Sequence, residues 1–337
     1  MEFLRVTGEN LDREHICCAL TGADAAGKKA WLADRFADGL VFCKGDARGK
    51  CFVEYLPGEK AWAPVEAEGL LWINCLWVSG QLAGQGNAGQ LLERCEQDAL
   101  DQGRGGLAIL SADKKRPYLA DPRFLTHMGF TEADRAGYFR LYWRPLDGAA
   151  RPPRFRNCAR SQRTDCEGLI LYYTCQCPFA AKYAPLAERL AAARGVPLRA
   201  LRLETMEQAQ AAPSPFTAYG LFWRGAFVTH EISRRKSWTS SWRSWKRRID
   251  MVESRCGLLC SQCAYRESTD CAGCVQIEKP FWGESCPVKS CCEERGLSHC
   301  GQCPSMPCRL LTQFACDPQQ GDGGARIEQC RKWREEA

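Results

Sequence analysis

The sequence predicts an α/β protein of several domains: a mixed α+β domain, then a smaller α/β domain, then a small cysteine-rich domain stabilised by metal. Three observations support this prediction. The chain has 337 residues, more than a single hydrophobic core usually organises. Up to about residue 230, short apolar strands alternate with amphipathic helices. Thirteen of the 23 cysteines lie between Cys256 and Cys330, where apolar residues are sparse.

Composition and charge limit the classes of protein that we consider. The formal net charge is only +6. The first residues, MEFLRVTGENLDREH, contain no apolar secretory segment, and no run approaches the length of a membrane span. We therefore expect a cytoplasmic protein without membrane contact. Its thiols would be reduced, so that clustered cysteines bind metal rather than form disulfides.

The first domain is expected to cover residues 1–146. Its predicted elements follow in order: a strand at 15–20, a helix at 25–37, a hairpin of 40–43 and 50–56, strands at 61–67 and 70–78, a helix after a glycine-rich turn, a strand at 106–111, a short helix at 122–128 and a strand at 138–144. Just before the first helix, the run from Gly22 to Lys29 is close to a phosphate-binding P-loop. Lys29 replaces the Ser or Thr that would hold Mg²⁺, so we interpret the run as the beginning of a helix.

The glycine-rich turn at 84–89 lies between an apolar strand and an amphipathic helix that aligns Leu91, Leu92, Cys95 and Ala99. Small residues let backbone N–H groups face a ligand, and the first helical turn adds unpaired N–H groups and the positive end of the helix dipole. This combination predicts an anion site, most often one for phosphate.

The same run resembles the acyl-CoA pyrophosphate loop of the GNAT acetyltransferases, and the order of elements over about 140 residues is similar to the GNAT fold. The resemblance implies CoA contacts at Leu76, Val78, Gly84, Gln85, Gly86, Asn87, Ala88 and Gly89. Two residues depart from the family pattern. Ala83 stands where the loop usually begins with Arg or Gln. In the segment DPRFLTHMGF, Leu125 stands where the family often has the Tyr that reprotonates the CoA thiolate.

Acyl transfer to an amine needs a group that removes the ammonium proton. Glu54 and Glu66 lie on predicted strands that would flank the site, and each is also explained as a solvated strand charge. Because Leu125 cannot donate a proton, the acid must be another group. Tyr138 is our catalytic candidate, with Tyr118 and His127 in the same region.

Residues 150–232 follow a strand, helix, strand, helix, strand, strand pattern that resembles the thioredoxin fold. The resemblance identifies Cys177 with the nucleophilic Cys of that family, and Pro213 or Pro215 with its cis-proline. A thiol at a helix N-terminus before Pro178 is also expected to have a lowered pKa. Ala180 replaces the resolving Cys, so Cys177 is an inert residue, a redox thiol acting alone or with Cys175, or a metal ligand.

Together the two domains resemble the YoaP-like acetyltransferases, through NCLWVSGQ at 74–81, LYYTCQCPF at 171–179, AKYAPL at 181–186 and APSPFTAY at 212–219. The resemblance implies an acyl-CoA-dependent N-acetyltransferase that moves an acetyl group from acetyl-CoA to an amine of a small molecule or peptide by direct attack. The alternative is a metal- or thiol-handling adaptor with a degenerate GNAT module.

Residues 233–251 are expected to form a basic, Trp-rich connecting helix. Seven Lys and Arg residues lie at 234–248, and Trp238, Trp242 and Trp245 share one helical face. Such a face can bind single-stranded nucleic acid or an acidic partner. We favour a helix that packs its tryptophans on a neighbouring domain.

Residues 252–337 are expected to form the cysteine-rich, metal-binding domain. Its C-x2-C pairs place two thiols at the separation that tetrahedral thiolate sites need. The pattern resembles a small cysteine-rich bacterial domain of unknown function. Zinc is the favoured metal and an iron–sulfur cluster the alternative, and spacing alone does not say which cysteines share it. The candidate ligands are Cys256, Cys260, Cys263, Cys271, Cys274, Cys286, Cys291, Cys292, Cys300, Cys303 and Cys308.

Overall fold

A computed structural model of the chain describes residues 1–16, 23–47, 49–166, 168–193, 198–223, 225–232, 253–263, 265–266, 268–269, 271–275 and 277–335. The chain divides into two compact units, residues 1–240 and 241–337. The mixed α/β class predicted from the sequence is confirmed. The predicted helix at 233–251 lies outside the described residues, and the domain boundaries within each unit stay predictions.

A seven-stranded sheet forms the first part of the amino-terminal unit, in the order β1-β2-β3-β5-β6-β8-β7. The strands are β1 (Phe3–Val6), β2 (Val41–Gly45), β3 (Cys51–Pro57), β5 (Leu71–Val78), β6 (Gly106–Ala112), β7 (Thr131–Ala136) and β8 (Phe139–Pro145), with β4 (Val65–Glu66) outside this sheet. All neighbouring pairs are antiparallel except β5 and β6, which are parallel. The helices are α1 (Ala23–Phe36), α2 (Asn87–Asp101) and α3 (Pro122–His127).

The predicted and described strands do not match everywhere. The predicted strand at 15–20 lies mostly outside the described residues and stays a prediction, and the first described strand, β1, was not predicted. The predicted strand at 61–67 is reduced to the two residues of β4. Ala61, Trp62 and Ala63 follow a 3₁₀ turn and are buried in the core, but they do not belong to a strand. The polar edge strand β7, TEADRA, has no alternating pattern and was not predicted.

A second, four-stranded sheet follows in the same unit, in the order β11-β10-β12-β13. Its elements are α4 (Asn157–Ser161), β10 (Leu169–Tyr173), α5 (Pro178–Ala192), β11 (Leu198–Arg202), α6 (Met206–Gln210), β12 (Tyr219–Trp223) and β13 (Ala226–Thr229), preceded by β9 (Arg154–Phe155), which pairs with β4. β10 and β11 are parallel, and the other pairs are antiparallel. The predicted cis-proline is wrong, because among the described residues the one cis peptide bond precedes Pro307, not Pro213 or Pro215.

The two sheets of this unit share a hydrophobic core. One cluster joins Phe42 and Trp62 of the first part to Leu203 and Ala212 of the second. A second cluster lies on the other face of the large sheet, where Leu91 and the other buried residues of α2 and α3 pack. Because the first cluster is continuous, the smaller sheet is packed against the larger one rather than tethered to it.

The carboxyl-terminal unit contains α7 (Pro287–Glu294), α8 (Arg309–Ala315) and α9 (Ala325–Glu335), with 3₁₀ turns at Cys260–Gln262 and Cys300–Gln302. Its apolar core is small and includes Val288, Leu311, Ile327 and Trp333 together with cysteines. Across the described part of the whole chain, we find no helix with the length and apolar character needed to span a membrane.

Candidate functional site

The strands β5 and β6 diverge in the middle of the large sheet. They pair only from Leu71 to Ile73 and from Leu107 to Ile109, although β5 continues to Val78 and β6 to Ala112. A small cavity of about 40 Å³ lies where they separate, lined by Leu76 of β5 and Leu110 of β6 among others. The divergence leaves the β6-facing side of β5 without ladder pairing in this part of the described sheet.

A larger cavity of about 310 Å³ adjoins this gap. We call it the acceptor cavity. Its wall combines α1, β3 and β5 with the segment that enters α5 and with the loop before β12. It shares with the small cavity the residues Asn74, Cys75, Trp77, Tyr118, Gln176, Phe216 and Ala218. Both parts of the amino-terminal unit therefore build one site.

Glu54 is the central polar residue of the acceptor cavity. Its side chain is fully buried on β3 and forms an ion pair with Lys28 of α1, which is also buried. The Lys28 ammonium lies 4.5 Å from the centre of the Trp31 ring, a cation–π contact that helps to hold the charge. A buried charge pair is tolerated only when both partners are satisfied, so this pair fixes the position of the carboxylate.

Asn74 adds a second polar group beside Glu54. Its Nδ2 donates to Glu54 Oε1 at 2.9 Å. This contact sets the amide orientation, since a carboxylate oxygen accepts and only the nitrogen can donate. Asn74 Oδ1 is buried and has no hydrogen-bond partner among the described residues. A carboxylate and an unsatisfied amide oxygen together form a binding site for a hydrogen-bond donor such as an ammonium group.

The glycine-rich turn follows the end of β5. Gly84 and Gly86 both have a φ of 77°, and a Cβ added at either would meet nothing within 4 Å. Glycine is thus required by the backbone conformation and not by space. Asn87 Nδ2 closes the turn by donating to Leu82 O at 2.9 Å. Helix α2 begins at Asn87 without a side-chain cap, which leaves its first N–H groups available, as the predicted anion site requires.

Comparison with known proteins identifies the family. YoaP, an uncharacterized N-acetyltransferase of Bacillus subtilis (strain 168), is 40% identical over 237 residues, which cover 69% of this chain and 94% of that protein. This chain therefore belongs to the YoaP family of N-acetyltransferases. The YoaP-like family model matches residues 197–238, and the model of a protein family of unknown function, DUF3795, matches residues 252–313.

Solved structures with similarity to this YoaP-family protein include GNAT enzymes. A GNAT acetyltransferase from Desulfovibrio desulfuricans is 18% identical, with 43% of this chain and 98% of that chain covered and a TM-score of 0.31. The ribosomal-protein-alanine N-acetyltransferase of Brucella melitensis is 15% identical, with 43% and 100% covered and a TM-score of 0.32. YhbS of Escherichia coli, solved in complex with CoA, is 15% identical, with 46% and 89% covered and a TM-score of 0.30.

Two of the predicted catalytic residues do not line the acceptor cavity. Glu66 is exposed on β4. Tyr138 places its hydroxyl 2.6 Å from His230 Nδ1, and burial raises the pKa of Tyr138 well above its ordinary value. His230 Nε2 lies 2.9 Å from Pro117 O, so that Nε2 carries the proton and Nδ1 accepts from Tyr138. Tyr138 therefore joins the two parts of the unit.

Lys28, Asn74 and Gln176 line the candidate site of this YoaP-family protein and were not predicted from the sequence. Lys28 had a recognisable signal, because it precedes Trp31 and Leu32 by three and four residues and so shares their buried helical face. Gln176 Nε2 donates to Asn74 O at 3.3 Å. This contact joins residues 102 positions apart, and no local pattern predicts it.

Cys177 lies on the wall of the acceptor cavity. It is the N-cap residue of the 15-residue helix α5, and Pro178 opens that helix. Cys175 is buried, does not line the cavity, and has a pKa that burial raises. Of the two cysteines in the Cys175-Gln176-Cys177 motif, only Cys177 therefore lines the acceptor cavity.

The eleven candidate metal ligands of the carboxyl-terminal unit all lie in the described part of the chain, and none of them forms a disulfide there. No three His, Cys, Asp or Glu side chains in the described parts of the chain are grouped so that they could hold one metal ion. The predicted zinc site is thus not confirmed.

Proposed function

We propose that this protein transfers the acetyl group of acetyl-CoA to an amine of a small molecule or peptide by direct attack on the thioester. The observation that carries the proposal is that Glu54 and Asn74, whose Oδ1 has no hydrogen-bond partner among the described residues, lie side by side on the wall of the acceptor cavity, beside the divergence of β5 and β6. Membership of an N-acetyltransferase family supports the enzyme rather than the degenerate adaptor.

Acetyl-CoA binds along the gap between β5 and β6 in this proposal. Its pyrophosphate contacts the turn and first helical N–H groups of Gly84, Gln85, Gly86, Asn87, Ala88 and Gly89. The thioester carbonyl accepts from backbone N–H groups of β5 near Leu76 and Val78, which stabilise the developing oxyanion. Because these contacts are made by the backbone, Ala83 in place of Arg or Gln removes only one side-chain contact.

The acceptor amine binds Glu54 and Asn74 Oδ1. If the amine binds as an ammonium ion, the Glu54 carboxylate has two cations beside it, the ammonium ion and Lys28. A like charge nearby disfavours the charged form of an amine. Glu54 accepts the ammonium proton in this proposal, which leaves the neutral, nucleophilic amine next to the thioester. The cavity volume of about 310 Å³ suits a small molecule or the end of a peptide.

The proton that the CoA thiolate needs must come from a group at the gap. Tyr118 lines both cavities, and its hydroxyl donates to Ile232 O at 3.3 Å. Leu125 is buried in the core, and Tyr138 lines neither cavity. Tyr118 also has a φ of 65°, a strained backbone for a non-glycine residue that is typical of functional sites. We therefore assign the role of general acid to Tyr118 instead of Tyr138.

The remaining sequence-based assignments belong to the same proposal. Residues 150–232 form a thioredoxin-like domain that places the candidate redox thiol Cys177 on the wall of the acceptor cavity. Residues 252–337 bind metal through thiolates. The basic segment at 234–248 lies outside the described residues, and nucleic acid is not favoured as its partner. Nothing in this scheme requires a membrane, and the cytoplasm is the expected location.

Calorimetry with acetyl-CoA, followed by a CoA-release assay across amines, amino acids and peptides, tests the proposal. We expect saturable binding at micromolar concentration and release of CoA only with amine-bearing acceptors. The proposal would be refuted if acetyl-CoA did not bind at high micromolar concentration. It would also be refuted if the acetylated products contained no new amide.

A further inference from the structure

The carboxyl-terminal unit contains a cavity of about 110 Å³ that is surrounded by thiols. We call it the thiol cavity. Six of the thirteen cysteines in this part of the chain line it. They come from the C-x3-C-x2-C run, from the following C-x2-C pair and from the start of α7: Cys256, Cys260, Cys263, Cys271, Cys274 and Cys286.

The thiol cavity is larger than a single zinc ion requires. Zinc binds four ligands at about 2.3 Å for sulfur, so the thiolates of a zinc site converge on one point. In the part of the unit that the structure describes, no three potential ligands converge in this way. The cavity is also several times the volume of one water molecule, which occupies about 30 Å³. The thiols surround a space instead of meeting at a point.

The charges around the thiol cavity suit an anionic metal–thiolate complex. Arg266, Lys289 and Arg326 line it, and no Asp or Glu is among the described lining residues. A metal–sulfide core bound by four thiolates is larger than a single ion and carries net negative charge. The cations would offset that charge, while the apolar side chains of Leu258, Ile277 and Phe314 form much of the remaining wall.

One sulfur of the thiol cavity already has the hydrogen bond that such sites use. Cys260 Sγ accepts from the backbone N–H of Cys274 at 3.4 Å. Hydrogen bonds from backbone N–H groups to cysteine sulfur stabilise thiolate ligands and tune iron–sulfur clusters. Cys260 and Cys274 belong to different cysteine pairs, so this contact also brings the two pairs to one side of the cavity.

We propose that the thiol cavity binds an iron–sulfur cluster through four of its six cysteines, in place of the single zinc ion that the spacing favoured. Thiolates are the usual ligands of [2Fe–2S] and [4Fe–4S] clusters, and each ligating thiol loses its proton on binding. The proposal does not depend on the acetyl-transfer proposal, which concerns the other unit.

The full-length protein, purified without oxygen and reconstituted with ferric iron, sulfide and a thiol reductant, tests the proposal. We expect about two to four iron atoms and equal acid-labile sulfide per chain, together with visible absorption that dithionite bleaches. About one zinc per chain, with no iron or sulfide retained after reconstitution, would overturn the proposal without any variant.

Matched variants locate the cluster. Cys260→Ser and Cys274→Ser should lose most of the iron and sulfide. Cys316→Ser replaces an exposed cysteine outside the cavity and should retain wild-type content. Circular dichroism of each variant separates loss of ligand from loss of fold. Because four of the six cavity cysteines are ligands, at least one of Cys256→Ser, Cys260→Ser and Cys274→Ser must lose the cluster. Wild-type iron content in all three variants would place the cluster elsewhere and contradict the assignment.

Discussion

The buried pair of Glu54 and Lys28 and the half-buried Asn74 form a polar group in a wall that is otherwise largely apolar and aromatic. Burial of a charged pair costs several kcal/mol of desolvation per ion, which its mutual attraction only partly offsets. A hydrophobic pair at these positions would pack with less cost. The unsatisfied Asn74 Oδ1 adds to that cost. Polar groups that stability does not require, gathered at a cavity, indicate a role in binding or catalysis.

Glu54→Gln should lower kcat/KM by about 100-fold or more, because it removes the group that takes the ammonium proton. Glu66→Gln is the matched control, since Glu66 is exposed on β4, and it should retain wild-type kinetics. Steady-state CoA release measures both. Equal effects of the two substitutions would contradict the role of Glu54.

The loss of activity in Glu54→Gln must be separated from the loss of stability, since Lys28 is then left buried without its counter-ion. Breaking one partner of a buried pair costs about 3–5 kcal/mol. The double variant Lys28→Met/Glu54→Gln should recover much of this stability in thermal unfolding and yet stay inactive. Recovery of activity in the double variant would show that the pair serves folding alone.

Modification of Cys177 should block acetyl transfer and leave acetyl-CoA bound, because this thiol lines the acceptor cavity and not the glycine-rich turn. Alkylation with iodoacetamide, followed by the CoA-release assay and calorimetry, measures the two effects. Cys177→Ser protein, treated identically, should keep its activity. If alkylated wild-type protein remains active, Cys177 does not face the acceptor.

Local patterns predicted the elements around the site but not the opening between them. The strand at 70–78 is observed as Leu71–Val78, and the helix after Gly86 begins at Asn87. Apolar runs, and glycine-rich turns that mark the ends of elements, specify such elements locally. The divergence of β5 from β6 depends on pairing between strands that are far apart in sequence. The periodicity of the side chains along each strand does not predict this pairing. Lys28 and Asn74 become site residues only through that tertiary arrangement.

The glycine-rich turn can be tested by the conformation of a single residue. Gly86→Ala adds a Cβ that meets nothing but strains a residue with a φ of 77°, at a cost of about 1–2 kcal/mol. Relief of the strain would turn the N–H groups away from the pyrophosphate. We expect the Kd for acetyl-CoA to rise about tenfold, as measured by calorimetry.

The control for that substitution is Gly103→Ala at the other end of α2. Gly103 also has a positive φ, 62°, and an added Cβ there also meets nothing. It should cost similar stability in thermal unfolding and leave the Kd for acetyl-CoA unchanged. If both variants bind acetyl-CoA like the wild type, the turn is not the pyrophosphate site.

At the scale of the molecule, the two domains predicted for residues 1–146 and 150–232 lie in one compact unit. Thr217 Oγ1 donates to Trp62 O at 2.5 Å, and Tyr138 meets His230 at 2.6 Å. The sequence showed two patterns of strands and helices, and it contained no local signal for these contacts across 155 and 92 positions. The acceptor cavity exists because the two parts pack together.

His230 makes the stability of this unit depend on pH. Its imidazole is 1% exposed, and burial, with Arg116 nearby, lowers the pKa of His230 to about 4, against about 6.5 in an unfolded chain. The unfolded state therefore binds more protons between pH 6.5 and 4, so the free energy of unfolding falls as the pH falls through this range. The free energy of unfolding falls by about 2 kcal/mol by pH 5 and by about 3 kcal/mol by pH 4.

His230→Gln should be less stable than the wild type at pH 7, and its Tm should fall less on acidification. The plots of Tm against pH for the two proteins should therefore converge near pH 4. His127→Gln, at an exposed position, should keep the wild-type slope. Parallel curves for wild type and His230→Gln would show that acid destabilisation arises elsewhere, for instance at His299, whose pKa burial also lowers.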